Sequence, residues 1–165
     1  MNDKLIRFAT LACSGGLFLL ALTQPCYCTN DCVNSVFVWL LGWLGLMVEL
    51  GAMADGMADF FNHNAPFLSP SFGASITWLA NPLLGLGWVL LEKRPQGTMG
   101  ASLLAAVLSL SFLLFDRVMG DEAGNYYQIT AYRAGYWLWT SSCLTLLAGS
   151  ALLTYTRRRS GLAVD

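Results

Sequence analysis

Between Arg7 and Lys93 the chain carries no lysine or arginine for 85 residues, although Asp31, Glu49, Asp55, Asp59 and Glu92 fall in that interval. Soluble domains intersperse both signs of charge over their surfaces. Long intervals without cations arise when cations are confined to one side of a membrane. The remaining cations gather as Lys4 with Arg7, Lys93 with Arg94, and Arg157 with Arg158 and Arg159, leaving only Arg117 and Arg133 apart. Lys and Arg near membrane ends mark the cytoplasmic side, so all three clusters and both termini are expected there. Composition agrees, with 56% apolar and 12% charged residues against about a quarter charged in soluble chains. A net charge of -1 offers no cationic surplus to displace counterions from a phosphate backbone, so no nucleic-acid partner is expected.

Crossing a hydrocarbon core about 30 Å thick takes about 20 apolar residues, with about 17 as the short limit. Residues 6–22, 74–91, 99–115 and 134–155 are read as the spans. Parity constrains the middle of the chain. With Arg7 and Lys93 on one side, residues 8–91 cross an even number of times, so only one of the apolar stretches 35–48 and 74–91 crosses fully. The second is longer and ends in Glu92, Lys93 and Arg94, an expected cytoplasmic anchor. Segment 35–48 is then re-entrant or interfacial on the outer side and leads into an amphipathic segment, 49–63. The competing assignment makes 35–50 the crossing helix and 74–91 re-entrant, broken at Asn81-Pro82. A cleaved signal peptide is the other reading of the first span, but Ala21, Leu22 and Thr23 make a poor cleavage site.

The expected fold class is therefore all-α: an integral membrane four-helix bundle with an external excursion, 23–73, and an external loop, 116–133. Seven of the ten acidic residues fall on that outer side, which should be negatively charged. Ala101, Ala105 and Ser109 on the third span and Ser141, Thr145 and Gly149 on the fourth are small residues at helical spacing, and these faces are expected to meet. Tyr126, Tyr127, Tyr132, Tyr136, Trp137 and Trp139 are expected to form an aromatic belt at the outer interface.

Several groups are candidates for chemistry. Cys26, Cys28 and Cys32 lie close together on the outer side, where a structural disulfide is the default. Spacing makes Cys26 with Cys32 easier than Cys26 with Cys28, but does not fix the pairing. Thiol redox catalysis would need reactive pairs, and the chain has no Cys-x-x-Cys, with only Cys13 and Cys143 elsewhere. Asp55, Asp59 and His63 recur every four residues and are candidate metal ligands, or the solvated stripe of an amphipathic helix. Glu49 and Asn81 are candidates for an ion pathway. An ionisable group at membrane depth suggests function, and Asn81-Pro82 frees a carbonyl beside a side-chain amide. A kink satisfied by neighbours is the plainer reading of that dipeptide. Trp39 and Trp43, four apart, read as headgroup anchors or as a partner-binding surface. Nucleophile elbows, phosphate-binding glycine loops and paired-histidine zinc motifs are absent from the sequence, and nothing in it calls for a cofactor.

The elements Leu41-Gly-Trp-Leu-Gly45, Trp78-Leu-Ala-Asn-Pro-Leu-Leu84, Asp121-Glu-Ala-Gly-Asn-Tyr126 and Gly135-Tyr-Trp-Leu-Trp139 resemble, in order and spacing, a group of small uncharacterised bacterial four-span inner-membrane proteins. Relative to that pattern, 47–75 looks like an insertion. The resemblance implies a bacterial inner-membrane location and carries over no activity and no catalytic residue.

The leading expectation is a non-enzymatic inner-membrane protein that binds another protein through an acidic periplasmic surface including Trp39, Trp43, Asp55, Asp59, Asp121 and Glu122. An immunity or inhibitor protein against a membrane-acting toxin is one form of it. A transport or channel component is the first alternative, a thiol redox membrane enzyme the second. The lipid bilayer, a periplasmic protein and further copies of the chain are the expected partners.

Overall fold

The computed structural model describes residues 3–63, 72–119 and 125–159, with side chains of α2 described as far as Gly51. Helix α1 (Asp3–Leu22) is one apolar run. It stops where the Thr23 hydroxyl and amide both donate to Leu20 O, and the Gln24 amide to Ala21 O, closing carbonyls that the helix leaves open. Strands β1 (Pro25–Cys28) and β2 (Cys32–Asn34) form a hairpin that leads directly into the 29-residue helix α2 (Ser35–His63). Next come α3 (Phe72–Ile76), a 3-10 turn (Thr77–Leu79) and α4 (Ala80–Lys93). Arg94, extended as the residue before a proline tends to be, links α4 to α5 (Pro95–Ser111). Pro95 opens α5 at a position where its missing N–H costs nothing. After a second 3-10 turn (Phe112–Leu114) come β3 (Arg117–Met119), β4 (Tyr126–Gln128), β5 (Ala131–Tyr132) and α6 (Ala134–Arg159).

Among the described residues, four helical stretches are long and apolar enough to cross a membrane: Asp3–Leu22, Phe72–Lys93, Gln96–Leu114 and Ala134–Arg159. These correspond to the four expected spans. The apolar part of α2, Ser35–Gly51, is shorter.

Helix α6 packs against α1, α4 and α5, and small residues bring it close to each. Against α1, the Ser14 hydroxyl donates to Ser142 O at 3.0 Å and the Ser142 hydroxyl to Ser14 O at 2.8 Å. Two turns on, Gly149 lies directly on Thr10. Against α4, Gly87 receives Leu146. Against α5, the Ser102 and Ser150 hydroxyls are 3.2 Å apart and the Tyr136 hydroxyl donates to Ser109 O at 3.0 Å. The small face of α5 is buried as expected, but its counterpart on α6 differs: Gly149 serves α1, Ser141 is exposed, and α5 meets Ser150 and Tyr136. Because α6 is in contact on three flanks, one stripe of small residues could not serve all its neighbours.

The basic clusters share one end of these helices. Arg157 Nε pairs with Asp3 at 3.1 Å, and Arg7 Nη1 donates to Glu92 O at 2.7 Å. The opposite end carries the strands. β1 is the centre of a β2-β1-β5 sheet, with Tyr27 opposite Tyr132, so the two outer segments form one structure; β3 and β4 make a second hairpin.

Candidate functional site: a cavity at the strand-bearing end

Proline at position 82 has no N–H to give the carbonyl of Trp78, one helical turn earlier. Asn81 compensates: its Nδ2 donates to Trp78 O at 3.1 Å, while Trp139 Nε1 on α6 donates to Asn81 Oδ1 at 3.0 Å. An indole N–H can only donate, so the amide orientation is fixed, with its oxygen toward Trp139. The freed carbonyl that made Asn81-Pro82 a candidate ion ligand is therefore taken by the neighbouring side chain. The second N–H of Asn81 Nδ2 has no protein acceptor among the described residues.

Trp78 also docks α2. Its ring lies on Gly42, where a Cβ would overlap it, and its Nε1 donates to Trp39 O at 3.0 Å. Val38, Gly42, Leu46 and Glu49 follow one face of α2 at helical spacing, and Glu49 on that face is only 1% exposed. The candidate pathway residues Glu49 and Asn81 are thus placed on α2 and α4, the first buried and the second partly so. On its other faces α2 exposes Phe37, Leu40, Leu41, Trp43, Leu44, Met47, Val48 and Leu50.

Residues of α1, α2 and α6 border an open cavity of about 900 Å³. Phe18 and Ala21 of α1, Val38, Trp39, Gly42 and Gly45 of α2, Trp78, Phe112 and Trp139 supply its apolar wall. Thr29, Asn30 and Asp31 of the β1–β2 turn line it with polar groups, and Cys26, Ser35, Thr77 and Asn81 add polar atoms in the wall. The Ser35 hydroxyl is buried beside Cys26 and Gly135. A second recess of about 390 Å³ lies between Leu40 and Trp43 of α2 and Pro82 of α4, and it shares Trp39, Trp78 and Asn81 with the cavity. Trp39 and Trp43 are therefore walls of this groove as well as exposed rings.

The disulfide joins Cys28 to Cys32, leaving Cys26 free and buried. This differs from the pairing that spacing alone made easier. Cys28 and Cys32 are direct partners in the β1–β2 register, whereas Cys26 precedes them across a bulge, and directly opposed residues bring their Cβ atoms together. Arg133 Nε approaches Cys28 Sγ at 3.0 Å. Burial pushes the Cys26 thiol up to about 12, against a smaller opposing effect of Ser35, so at neutral pH Cys26 is protonated and a poor nucleophile.

The expected aromatic belt divides in two. Trp137, Tyr126 and Tyr127 are exposed, but Tyr136 is fully buried, Trp139 binds Asn81, and the Tyr132 hydroxyl reaches the carbonyls of Phe112 and Phe115 at the end of α5. A polar tip that finds a partner inside the protein needs no headgroup.

Asp55, Asp59 and His63 lie on α2 beyond its described side chains, and Asp121 and Glu122 lie outside the described residues. Among the described residues no three of His, Cys, Asp and Glu gather closely enough to hold a metal. Sequence reasoning missed the cavity and the strands that roof it. The alternation of β-branched and aromatic residues in Tyr126-Tyr-Gln-Ile-Thr130 and the Cys-Tyr-Cys of β1 were the available signal. Comparison with protein families, with curated proteins and with solved structures finds no match.

Proposed function

We propose that the protein is a non-enzymatic binding protein of a bacterial inner membrane, a bundle of four crossing helices whose cavity at the outer, periplasmic end receives an apolar or amphipathic ligand. The cavity carries this reading. About 900 Å³ lies within the range of about 300–1,000 Å³ usual for ligand sites, as do walls that are mostly apolar with a few placed polar groups. Cytoplasmic termini are supported by the gathering of Asp3, Arg7, Glu92 and Arg157 at one end.

An outer-side path for α2 is supported by chain length. Ser35 N donates to Gln24 O beside the strands, and Gly73 rests on Phe115 at the same end. The 29 residues of α2 rise about 42 Å. Eight residues separate His63 from Phe72, and they reach about 30 Å at full extension. A straight perpendicular crossing by α2 would exceed that reach, which favours a re-entrant or oblique course.

The test is native mass spectrometry of the protein taken from its own membranes in mild detergent. One small molecule retained per chain is expected, and Gly45→Phe should remove it. Gly45 lines the cavity, and a Cβ there meets nothing within 4 Å among the described residues, so the side chain can start there without a clash, and unchanged helical circular dichroism checks that the variant folds. No retained mass, or retention unaffected by Gly45→Phe, overturns the reading.

A protein partner is the second reading, and the exposed apolar flank of α2 favours it. An immunity or inhibitor protein would use such a flank to hold the membrane-embedded part of a toxin. Met47→Ser with Leu50→Ser, both exposed and outside the cavity lining, should then abolish partner binding while leaving ligand retention intact; unchanged partner binding would exclude the flank.

A further inference from the structure

We propose that the ligand is an ester-linked zwitterionic glycerolipid of the surrounding bilayer, entering sideways between α2 and α4, with a carbonyl oxygen hydrogen-bonded by Asn81; this rests on the cavity being a binding site. The recess between Trp43 and Pro82 meets the cavity at Trp39, Trp78 and Asn81. On the flank beside it, α2 exposes Leu40 and Trp43 and α4 exposes Leu86 and Val89. A chain in the bilayer therefore reaches the cavity without passing through water, and leaving it there loses no apolar burial.

The polar groups of the wall select the acceptor. Asn81 keeps one N–H without an acceptor among the described residues, and its orientation is locked by Trp139 and Trp78. Asn81 is a neutral donor in a largely apolar wall, where an unmatched N–H is unfavourable. A ligand that supplies a carbonyl oxygen removes that cost. Among the described residues no lysine or arginine lines either recess, and Asp31 is the one carboxylate that does. A carboxylate or bare phosphate would be desolvated there without a counter-charge. Ester carbonyls need none, and an ammonium on the headgroup is attracted by Asp31. This excludes free fatty acids and anionic lipids as preferred ligands.

The experiment places the purified protein in nanodiscs holding equal amounts of ester-linked and ether-linked phosphatidylethanolamine, which differ in the carbonyls alone. Native mass spectrometry after transfer to mild detergent then counts the lipid retained. One lipid per chain is expected, ester over ether by up to about tenfold, as one net hydrogen bond provides. Asn81→Leu should bring the ratio toward one, with unchanged helical circular dichroism verifying that the variant is folded. Equal retention of ester and ether by the native chain overturns carbonyl recognition and leaves the binding cavity standing. Loss of both lipids in the native chain, or full retention by Gly45→Phe, overturns the cavity reading itself. Preference for phosphatidylglycerol over phosphatidylethanolamine in a parallel mixture overturns the assignment of the headgroup.

Discussion

Gly149→Ala should be among the most damaging single-methyl additions in the chain, and the reason is local. A Cβ built on Gly149 overlaps both branches of the Thr10 side chain and stands 2.7 Å from Thr10 Cβ, against an ordinary carbon separation of about 3.5–4.0 Å. α1 and α6 must part by roughly 1 Å there, since backbone atoms fix both Cβ positions. Parting is resisted two turns away, where Ser14 and Ser142 exchange hydrogen bonds at 3.0 and 2.8 Å. Overpacking of this kind costs about 1–3 kcal/mol, and stretching the serine pair adds up to about 1 kcal/mol, since hydrogen bonds between membrane helices average about 0.6.

The partner substitutions grade the explanation. Thr10→Ala removes the two branches but keeps the Cβ at 2.7 Å, so the pair Gly149→Ala with Thr10→Ala should recover only part of the loss. Thr10→Gly removes the Cβ as well, and its pair with Gly149→Ala should show the largest favourable coupling, of about 1–2 kcal/mol, in a double-mutant cycle. Reversible unfolding by sodium dodecyl sulfate in mixed micelles, followed by tryptophan fluorescence, measures all six proteins, the native chain included. If Gly149→Ala is neutral, or if Thr10→Ala and Thr10→Gly rescue equally, the helices are not in the contact on which this reasoning stands.

Two further outcomes follow from single groups. At pH 8 an ordinary thiol of pKa 9.0 is about one-tenth ionised, whereas Cys26 at about 12 is ionised to roughly one part in ten thousand. Alkylation of Cys26 should therefore be about a thousandfold slower than in the unfolded chain and should rise tenfold per pH unit toward pH 12; prompt labelling at pH 8 contradicts its burial. Arg157→Gln breaks the pair with Asp3, whose side chains are 25% and 34% exposed, so it should cost no more than about 1 kcal/mol in the same unfolding assay, and a larger loss would mean that this pair is shielded from water.

The four long apolar helices were legible because they depend on a quantity a sequence states outright: the lengths of its apolar runs. Which faces meet was only half legible. Small residues mark where helices come close, but Gly149 alone does not say whether Thr10 of α1 or a residue of α5 will fill it, because that depends on the rotation of α6 among three neighbours. The aromatic residues illustrate the same limit. Tyr136 and Trp137 are adjacent and chemically alike, yet one is fully buried and the other half-exposed. Helical phase, set by Gly135 packing on Pro25 and Ser35, separates them.

The cavity was illegible for a different reason, since its lining is drawn from segments far apart in the chain: α1, the β1–β2 hairpin, α2, the stretch from Ala74 to Asn81, Phe112 with Val118, Tyr127, and Trp139 of α6. No periodicity encodes a space. What the sequence did encode was the donor at its centre: a proline that cannot serve the carbonyl of Trp78 requires a substitute donor beside it, and an asparagine placed there brings two N–H groups where one is needed. The second of these, without an acceptor among the described residues, is the group on which the proposed lipid contact depends.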